Sequence, residues 1–462
     1  MAHEDKNLSA YQNVFFVGIA GAGMSALAQY LQGTGVQVSG SDRFFNQNPN
    51  SLVEKQLQAQ GIVCYPQGAS QLGTTCDLVV VSTAIEDSVP EVQAAKERSI
   101  PLMRRSELLA LICSSKKTIA IAGTSGKSST AGMLFQILSD GGLDPSVITG
   151  AGLTSLIENG LIGNAHVGKS DWLIIEADES DGSIVGYRPY ISVLLNIDKD
   201  HQEIDELQTL FSVFKANTSY RFITNHANAL SAAFSVDPKF DFAFEDSSVG
   251  YNAEHFRQEG FIIHFQMRGE NFRLKTVGRH NVENASAAIA VAHQIGMPLS
   301  AIASSLYNYR GIYRRHQIIG EKEGMVVIDD YAHNPAKCAA SLRACQPLGK
   351  KLVGWFQPHG YGPTRFLKDD FIQEIAHALR PEDEIWMSEI FYAGGTVVKD
   401  ISAKDLVEGI KRLGKKAFFV EDRQELLEAM RPSLENADVL LLMGARDPSL
   451  EEFGKHVVKS VL

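Results

Sequence analysis

The residues best suited to chemistry are gathered between Thr118 and Thr130, where the chain reads Thr-Ile-Ala-Ile-Ala-Gly-Thr-Ser-Gly-Lys-Ser-Ser-Thr. An apolar strand runs into a turn of Gly123, Thr124, Ser125 and Gly126. Lys127 follows, and the hydroxyls of Ser128 and Ser129 open an amphipathic helix. That order gathers backbone N–H groups and a positive helix end around a phosphate. Lys127 can then reach the outer phosphates, and Ser128 can offer its oxygen to Mg2+. The longer P-loop spacing calls for glycine at position 121, where Ile121 stands, so the motif is the shorter Gly-Thr-x-Gly-Lys-Ser form. The pattern implies ATP binding; the plain alternative is a strand-to-helix turn that carries a lysine.

Further groups lie at other strand ends. Gly18, Gly21, Ala22, Gly23 and Met24 follow the strand Val14–Val17 and can wrap a diphosphate at a helix N-terminus, or simply make a tight turn. Their spacing is Gly-x-x-Gly-x-Gly, not the dinucleotide fingerprint, although these residues alone leave a nicotinamide cofactor open. Asp42 ends the second strand, where an acid commonly meets a ribose hydroxyl. Glu176, Asp178, Glu179 and Asp181 crowd the end of an apolar strand. Such crowding is costly unless a cation or water offsets it, so metal-holding carboxylates and a solvated acidic loop are the two readings. His201, after Asp198-Lys199-Asp200, is a second candidate metal ligand or an ordinary polar contact.

Asn281 and Asn284, three apart and so on one face, precede a helix and suit an adenine edge or capping. Arg314 and Arg315 offer guanidinium groups for a γ-phosphate or for a surface ion pair. Asp329-Asp330-Tyr331-Ala332-His333-Asn334-Pro335 and Phe356-Gln357-Pro358-His359 end two more strands, at the edge where doubly wound sheets keep their sites.

The elements that must position these groups alternate strand and helix, which predicts parallel α/β sheets. Strands are expected at Val14–Val17, Val36–Ser39, Leu78–Val81, Thr118–Ala122, Trp172–Ile175 and Ile191–Leu195. Others are expected at Met325–Asp330, Lys351–Trp355, Glu384–Met387 and Asp438–Met443, with helices at Met24–Leu31 and Ala285–Gln294. A phenylalanine-rich insertion with short strands spans about 227–276. Three α/β domains in series are expected, at 1–113, 114–317 and 318–462. At 462 residues and 44% apolar content there is ample material for their cores.

A net charge of −11 argues against general nucleic-acid binding. Five scattered cysteines read as reduced thiols. The polar start and the lack of a long apolar run predict a cytoplasmic protein without membrane insertion. A monomer or homodimer is expected.

In order and over nearly the whole chain, these motifs resemble the Mur ligases, ATP-dependent amide-bond-forming enzymes of bacterial cell-wall synthesis. The supporting segments are Phe16–Met24, Gly40-Ser41-Asp42, Val81–Ile85, Glu176–Asp181, Gly278–Asn281 and Phe356–His359. The likeness is greatest to the branch that adds an amino acid, L-alanine by default, to UDP-N-acetylmuramate. It implies a Rossmann-like UDP-sugar-binding domain, a central P-loop ATPase domain and a Rossmann-like C-terminal domain that closes over both and excludes water. It also assigns Gly18–Gly23, Ser41, Ser82 and Thr83 to the UDP diphosphate, with Asp42 near the nucleoside. Lys127 and Ser128 take ATP phosphates and Mg2+; Glu176 and His201 are further metal ligands. Asn281 and Asn284 hold adenine, Arg315 the γ-phosphate and Asp330 the ATP ribose. The general base is open, with His333 and His359 placed for it.

The chain departs from the family pattern at several points. Ser125 and Ser128 replace histidine and threonine, and Gln202-Glu203 replaces Met-Asp. Lys215 lies near a lysine that is carbamylated in some siblings. Gly360 and Pro363 replace two arginines, which leaves Arg365 to meet the carboxylate of the amine donor. Another amino acid, or the short peptide used by a murein-recycling ligase, is therefore an alternative donor. A non-catalytic nucleotide sensor is the alternative from a different class.

Overall fold

The computed structural model describes residues 8–68, 72–83, 85–198, 203–322, 324–392 and 397–462. The chain divides into two compact units. The first comprises Met1–His255, Phe265–Arg273 and His280–Ile312; the second comprises Phe256–His264, Leu274–Arg279 and Tyr313–Leu462.

The first unit holds two α/β sheets. Strands β1 (Asn13–Val17), β2 (Gln37–Asp42), β3 (Val63–Pro66), β4 (Leu78–Val81) and β5 (Leu102–Arg104) lie in the order β3-β2-β1-β4-β5. All of their pairings are parallel. Central β1 is apolar because helices cover both faces, as in other parallel sheets. The second sheet contains β6 (Lys117–Ala122), β7 (Ser146–Ile148), β8 (Ala165–His166), β9 (Trp172–Ala177), β10 (Ile191–Leu194) and β11 (Arg221–Thr224). Its order is β11-β10-β6-β9-β7-β8, parallel except for β8 against β7. The strand that feeds the P-loop is thus central, and the helix Lys127–Asp140 leaves its C-terminal end.

One apolar cluster runs through both sheets. It joins Phe16 of the first and Leu27 of the helix Ala22–Gly33 to Ala120, Leu173 and Leu194 of the second, through Leu108 and Ile112 of the helix Arg105–Ser114. Three α/β domains in series were expected from the sequence, and three principal α/β sheets follow one another along the chain, the first two sharing a core.

The insertion forms a four-stranded sheet in chain order, β12 (Phe242–Phe244), β13 (Tyr251–Glu259), β14 (Ile262–Met267) and β15 (Glu270–Leu274), and the division between units falls within it.

The second unit carries β16 (Gln317–Lys322), β17 (Met325–Asp330), β18 (Leu352–Gln357), β19 (Glu384–Ser388), β20 (Lys416–Val420) and β21 (Val439–Gly444). Their order is β16-β17-β21-β18-β19-β20, with only β16 antiparallel. Strand periodicity sends Leu352, Phe356, Val439 and Leu441 to one face, against the helices Pro335–Cys345, Lys368–Ala378 and Ala403–Arg412. Val353, Trp355, Leu440 and Leu442 face the helices Leu426–Leu434 and Leu450–Val461. Neighbours β18 and β21 therefore run on into helices of opposite layers. This divergence is a topological switch point, where a crevice opens at the strand ends.

Most expected strands form. Val36, Leu195, Lys351 and Asp438 flank their strands instead of lying inside them, the usual uncertainty at element ends. Glu176 and Ala177 extend β9, so the acidic run starts inside the strand, and the helix that carries Asn281 and Asn284 starts at His280.

Candidate active site

In the first unit, Gly123 and Gly126 take φ of 130° and 89°, values that disfavour any residue with a Cβ. A Cβ on Gly126 would also lie 2.3 Å from Asn284 Oδ1, so the loop and the helix His280–Gln294 approach through that glycine. Lys127 donates to Gly123 O at 2.8 Å and to Glu179 Oε2 at 2.9 Å, with Asp178 Oδ1 at 3.7 Å. Burial pushes the Lys127 pKa down, but the charges of Glu179, Asp178 and Glu176 outweigh it and hold the ammonium above its ordinary range. Ser128 Oγ donates to Glu176 Oε2 at 3.0 Å, while Glu176 Oε1 accepts from Gly150 N at 2.9 Å. Asp178 feels burial upward and Lys127 downward, and the balance leaves its pKa lowered.

Asn196, which the sequence reading did not single out, splints this loop. Its Oδ1 accepts from Thr124 Oγ1 at 2.8 Å and Ser125 N at 2.9 Å, and its Nδ2 donates to Ser125 O at 3.1 Å. It stands just beyond β10, the neighbour of β6 with Leu194 paired to Ala122. Its place after an apolar strand was the available signal. Asn284 Nδ2 donates to Asn281 Oδ1 at 3.1 Å, and both amides are buried in the first turns of their helix. Lys215 donates to Phe234 O at 2.8 Å, a contact that uses its free amine.

At the first glycine loop, Ser41 O accepts from Gly18 N at 2.7 Å and Ile19 N at 3.1 Å. Asp42 Oδ2 accepts from Ala20 N at 2.9 Å and Oδ1 from Phe44 N at 2.8 Å, so the carboxylate fixes the loop and caps a short helix. Met24 turns its side chain into the core, leaving only its backbone at the loop. Gly21 and Ala22 are exposed, and Ser82 and Thr83 follow β4 beside β1. A Cβ on Gly23 would meet Arg105 Nη1 at 2.9 Å, and Arg105 pairs with Asp181 at 3.4 Å. Arg105, a second residue the sequence reading passed over, brings a cation to this loop.

In the second unit, Arg314 is locked: Nε and Nη2 grip Asp329 at 2.7 and 3.1 Å, and Nη2 also reaches Gly444 O at 3.1 Å. Arg315 instead lies over the Tyr331 ring, 4.9 Å from its centroid. Asp330 is buried and accepts from His316 N at 3.1 Å; burial raises its pKa, but His316 and Arg315 bring it below the usual value. His333 Nδ1 donates to Tyr331 O at 2.9 Å, which leaves Nε2 as the acceptor, and its ring lies 5.7 Å from that of His359. Burial, with help from Lys337, His359 and Arg315, lowers the His333 pKa to about 4; burial and Arg446 lower that of His359. Both are neutral at pH 7, and His333 is a weak base. Arg365 is held by Asp400 and by Val398 O. Beside β18 and β21, Gln357, Glu389, Asp422, Arg423, Asp447 and Ser449 line a cavity of about 560 Å³. Arg423 is consumed there by Gln357 and Asp447, each at 2.7 Å.

The Ser128 and Glu176 oxygens suit Mg2+, a hard cation that keeps several of its waters. His201 lies outside the described residues. Among the described residues, no group of three or more His, Cys, Asp or Glu is arranged for a metal, and no helix is long and apolar enough to cross a membrane. The five cysteines are unpaired, and burial raises the pKa of Cys113 to about 11.

Three family descriptions match the chain: "Mur ligase family, catalytic domain" over residues 13–117, "Mur ligase middle domain" over 121–292 and "Mur ligase, glutamate ligase domain" over 314–446. The chain is 34% identical over 451 residues to UDP-N-acetylmuramate–L-alanine ligase of Carboxydothermus hydrogenoformans, covering 94% of this chain and 93% of that protein. The enzyme of the same name from Myxococcus xanthus is 33% identical, with 94% and 92% covered. The crystal structure of UDP-N-acetylmuramate-alanine ligase from Thermotoga maritima superposes with a TM-score of 0.79 at 26% identity, covering 97% of this chain and 98% of that one. A murein peptide ligase from Psychrobacter arcticus shares the fold, with a TM-score of 0.66 at 21% identity. With all three family regions present in order around an intact P-loop, the chain belongs to the Mur ligase family, and the protein is an ATP-dependent ligase.

Proposed function

We propose that the protein joins the carboxylate of UDP-N-acetylmuramate to the amine of an amino acid, L-alanine by default, in peptidoglycan synthesis in the cytoplasm. The observation that carries this reading is the P-loop lysine held between Gly123 O and Glu179 Oε2, beside a Ser128–Glu176 pair. The names of the relatives support the substrates.

A carboxylate is a poor electrophile, and its charge repels a γ-phosphate. Phosphoryl transfer gives an acyl phosphate; the amine attacks its carbonyl, phosphate leaves and ADP remains. Lys127 would stabilise the charge spread over the transferring group. Ser128, Glu176 and His201 would hold Mg2+, which supplies further charge neutralisation when bound. Asn281 and Asn284 are proposed for adenine, Arg315 for the γ-phosphate and Asp330 for the ribose side of ATP. Gly18–Gly23, Ser82 and Thr83 are proposed for the UDP diphosphate. Residues 1–113 would serve the UDP-sugar, 114–317 ATP and 318–462 the amine donor, in a monomer or homodimer.

The test is Mg2+-dependent phosphate release from ATP with UDP-N-acetylmuramate and a panel of amines, with products read by mass. Release with L-alanine supports the default. Release only with another amino acid or a murein tripeptide supports the second reading, which the Arg365–Asp400 pair favours. Absence of release with every amine overturns both.

A further inference from the structure

An amino-acid donor carries an α-carboxylate that needs a cation, and in the second unit most arginines near the strand ends are engaged. Arg314 grips Asp329, Arg365 pairs with Asp400 and Arg423 pairs with Asp447. Arg315 lies over Tyr331, and Lys399 lies over the rings of Tyr361 and Tyr392 at 5.7 and 5.5 Å.

Arg446 differs. It is exposed and, among the described residues, makes no ion pair. Gly444 pairs with Gln357 across β21 and β18, and Arg446 and His359 each follow their partner by two residues. The two side chains therefore belong to the facing lips of the crevice where the strands diverge. The loop that carries His359 is pinned to the end of β19 by Phe391 N on Pro358 O and Gly360 N on Phe391 O, both at 2.8 Å. His359 Nδ1 is buried without a hydrogen-bond partner among the described residues, an orphan polar atom that a ligand can satisfy. Arg446 also has φ of 63°, a left-handed conformation that residues with a Cβ seldom adopt. Glycine would adopt it freely.

We propose that Arg446 receives the α-carboxylate of the incoming amine donor, with His359 Nδ1 as a second polar contact at the same lip. Arg446 thereby sets selectivity for a donor with a carboxylate and takes over the task for which Gly360 and Pro363 offer no charge. This inference rests on the ligase reading above. Of the groups around the site, His333 and His359 are neutral, and the Asp447 carboxylate is paired with Arg423, so neither competes for an incoming anion.

Arg446→Gly is the primary variant, because glycine relieves the left-handed backbone and keeps the fold. Its KM for L-alanine is expected to rise ten- to hundredfold, with kcat at saturating amine within about twofold of the parent, the range for a lost charge-assisted pair. L-Alaninamide, which lacks the carboxylate, is expected to react equally well with both proteins, and Arg446→Lys to recover part of the loss. If the chain accepts another amino acid, that acid and its amide replace the pair. An unchanged KM for the amino acid, or equal losses with acid and amide, overturns the assignment. Failure of the parent protein with every amine overturns the ligase reading instead, so the two failures are distinguishable.

Discussion

Asn196 Oδ1 accepts from Thr124 Oγ1 at 2.8 Å, so the end of one strand holds the phosphate loop that leaves its neighbour. The same amide also bonds both backbone groups of Ser125. Asn196→Ala removes three hydrogen bonds and is expected to cost about 1–3 kcal/mol of stability, at roughly 0.5–1.5 kcal/mol each with partial replacement by water. It should also raise the KM for ATP about tenfold while leaving the KM for UDP-N-acetylmuramate nearly unchanged. Urea unfolding and steady-state kinetics check the two parts separately.

The Lys127 ammonium lies 2.9 Å from Glu179 Oε2 and 3.7 Å from Asp178 Oδ1. Lys127→Ala is expected to lower turnover by at least about 10²–10³-fold, the scale for removing one preorganised charge donor. Binding of the UDP-sugar, followed by calorimetry, should persist. Turnover equal to that of the parent would sink the ATP-site assignment.

Arg314 and Arg315 are adjacent in sequence but opposite in role. Arg314→Ala strands the buried Asp329 carboxylate and is expected to destabilise the protein by about 3–5 kcal/mol. Arg315→Ala is expected to leave the unfolding midpoint within about 0.5 kcal/mol of the parent. Its effect should instead fall on kcat, through the loss of a cation proposed for the γ-phosphate. Equal midpoints for the two variants would overturn this division.

The His333 pKa of about 4 lies below the usual histidine value near 6.5. Between these values the unfolded chain binds a proton that the native chain refuses, so stability falls as pH drops through this window and the loss stops below the native pKa. His359 acts in the same direction. The slope of stability against pH should be shallower in His333→Asn than in the parent, by up to about 1.4 kcal/mol per unit. Parallel pH profiles of the urea midpoint would show that His333 titrates normally in the folded chain.

The P-loop was legible because strand, turn and helix start are consecutive and each residue's role is local. Asn196 was not, since its partner loop is 71 residues away and is brought near only by the pairing of β10 with β6. Asp42 invited a ribose reading from its place at a strand end. The Asp-Arg-Phe step equally fits a helix cap, and the backbone N–H groups of Ala20 and Phe44 take both carboxylate oxygens. Sequence could not tell Arg314 from Arg315, because which one turns inward depends on how β17 lies beside β21. Arg365 was read as the carboxylate receptor; its pairing with Asp400, 35 residues on, is set by tertiary folding and was not legible. The fold itself was readable for a simpler reason: strand and helix periodicities persist over whole elements, so small boundary errors leave the architecture intact.

The apolar cluster that runs from Phe16 to Leu194 also makes the seam at residue 113 mechanically continuous. Thr118 Oγ1 donates to Cys113 O at 2.8 Å across it, and both residues are buried. A fragment ending there would lose the part of that cluster supplied by the second sheet and should not fold alone. The first two sheets should melt in a single calorimetric transition. A uridine nucleotide bound to one would raise the unfolding temperature of both, since any ligand of the native state stabilises the whole cooperative block.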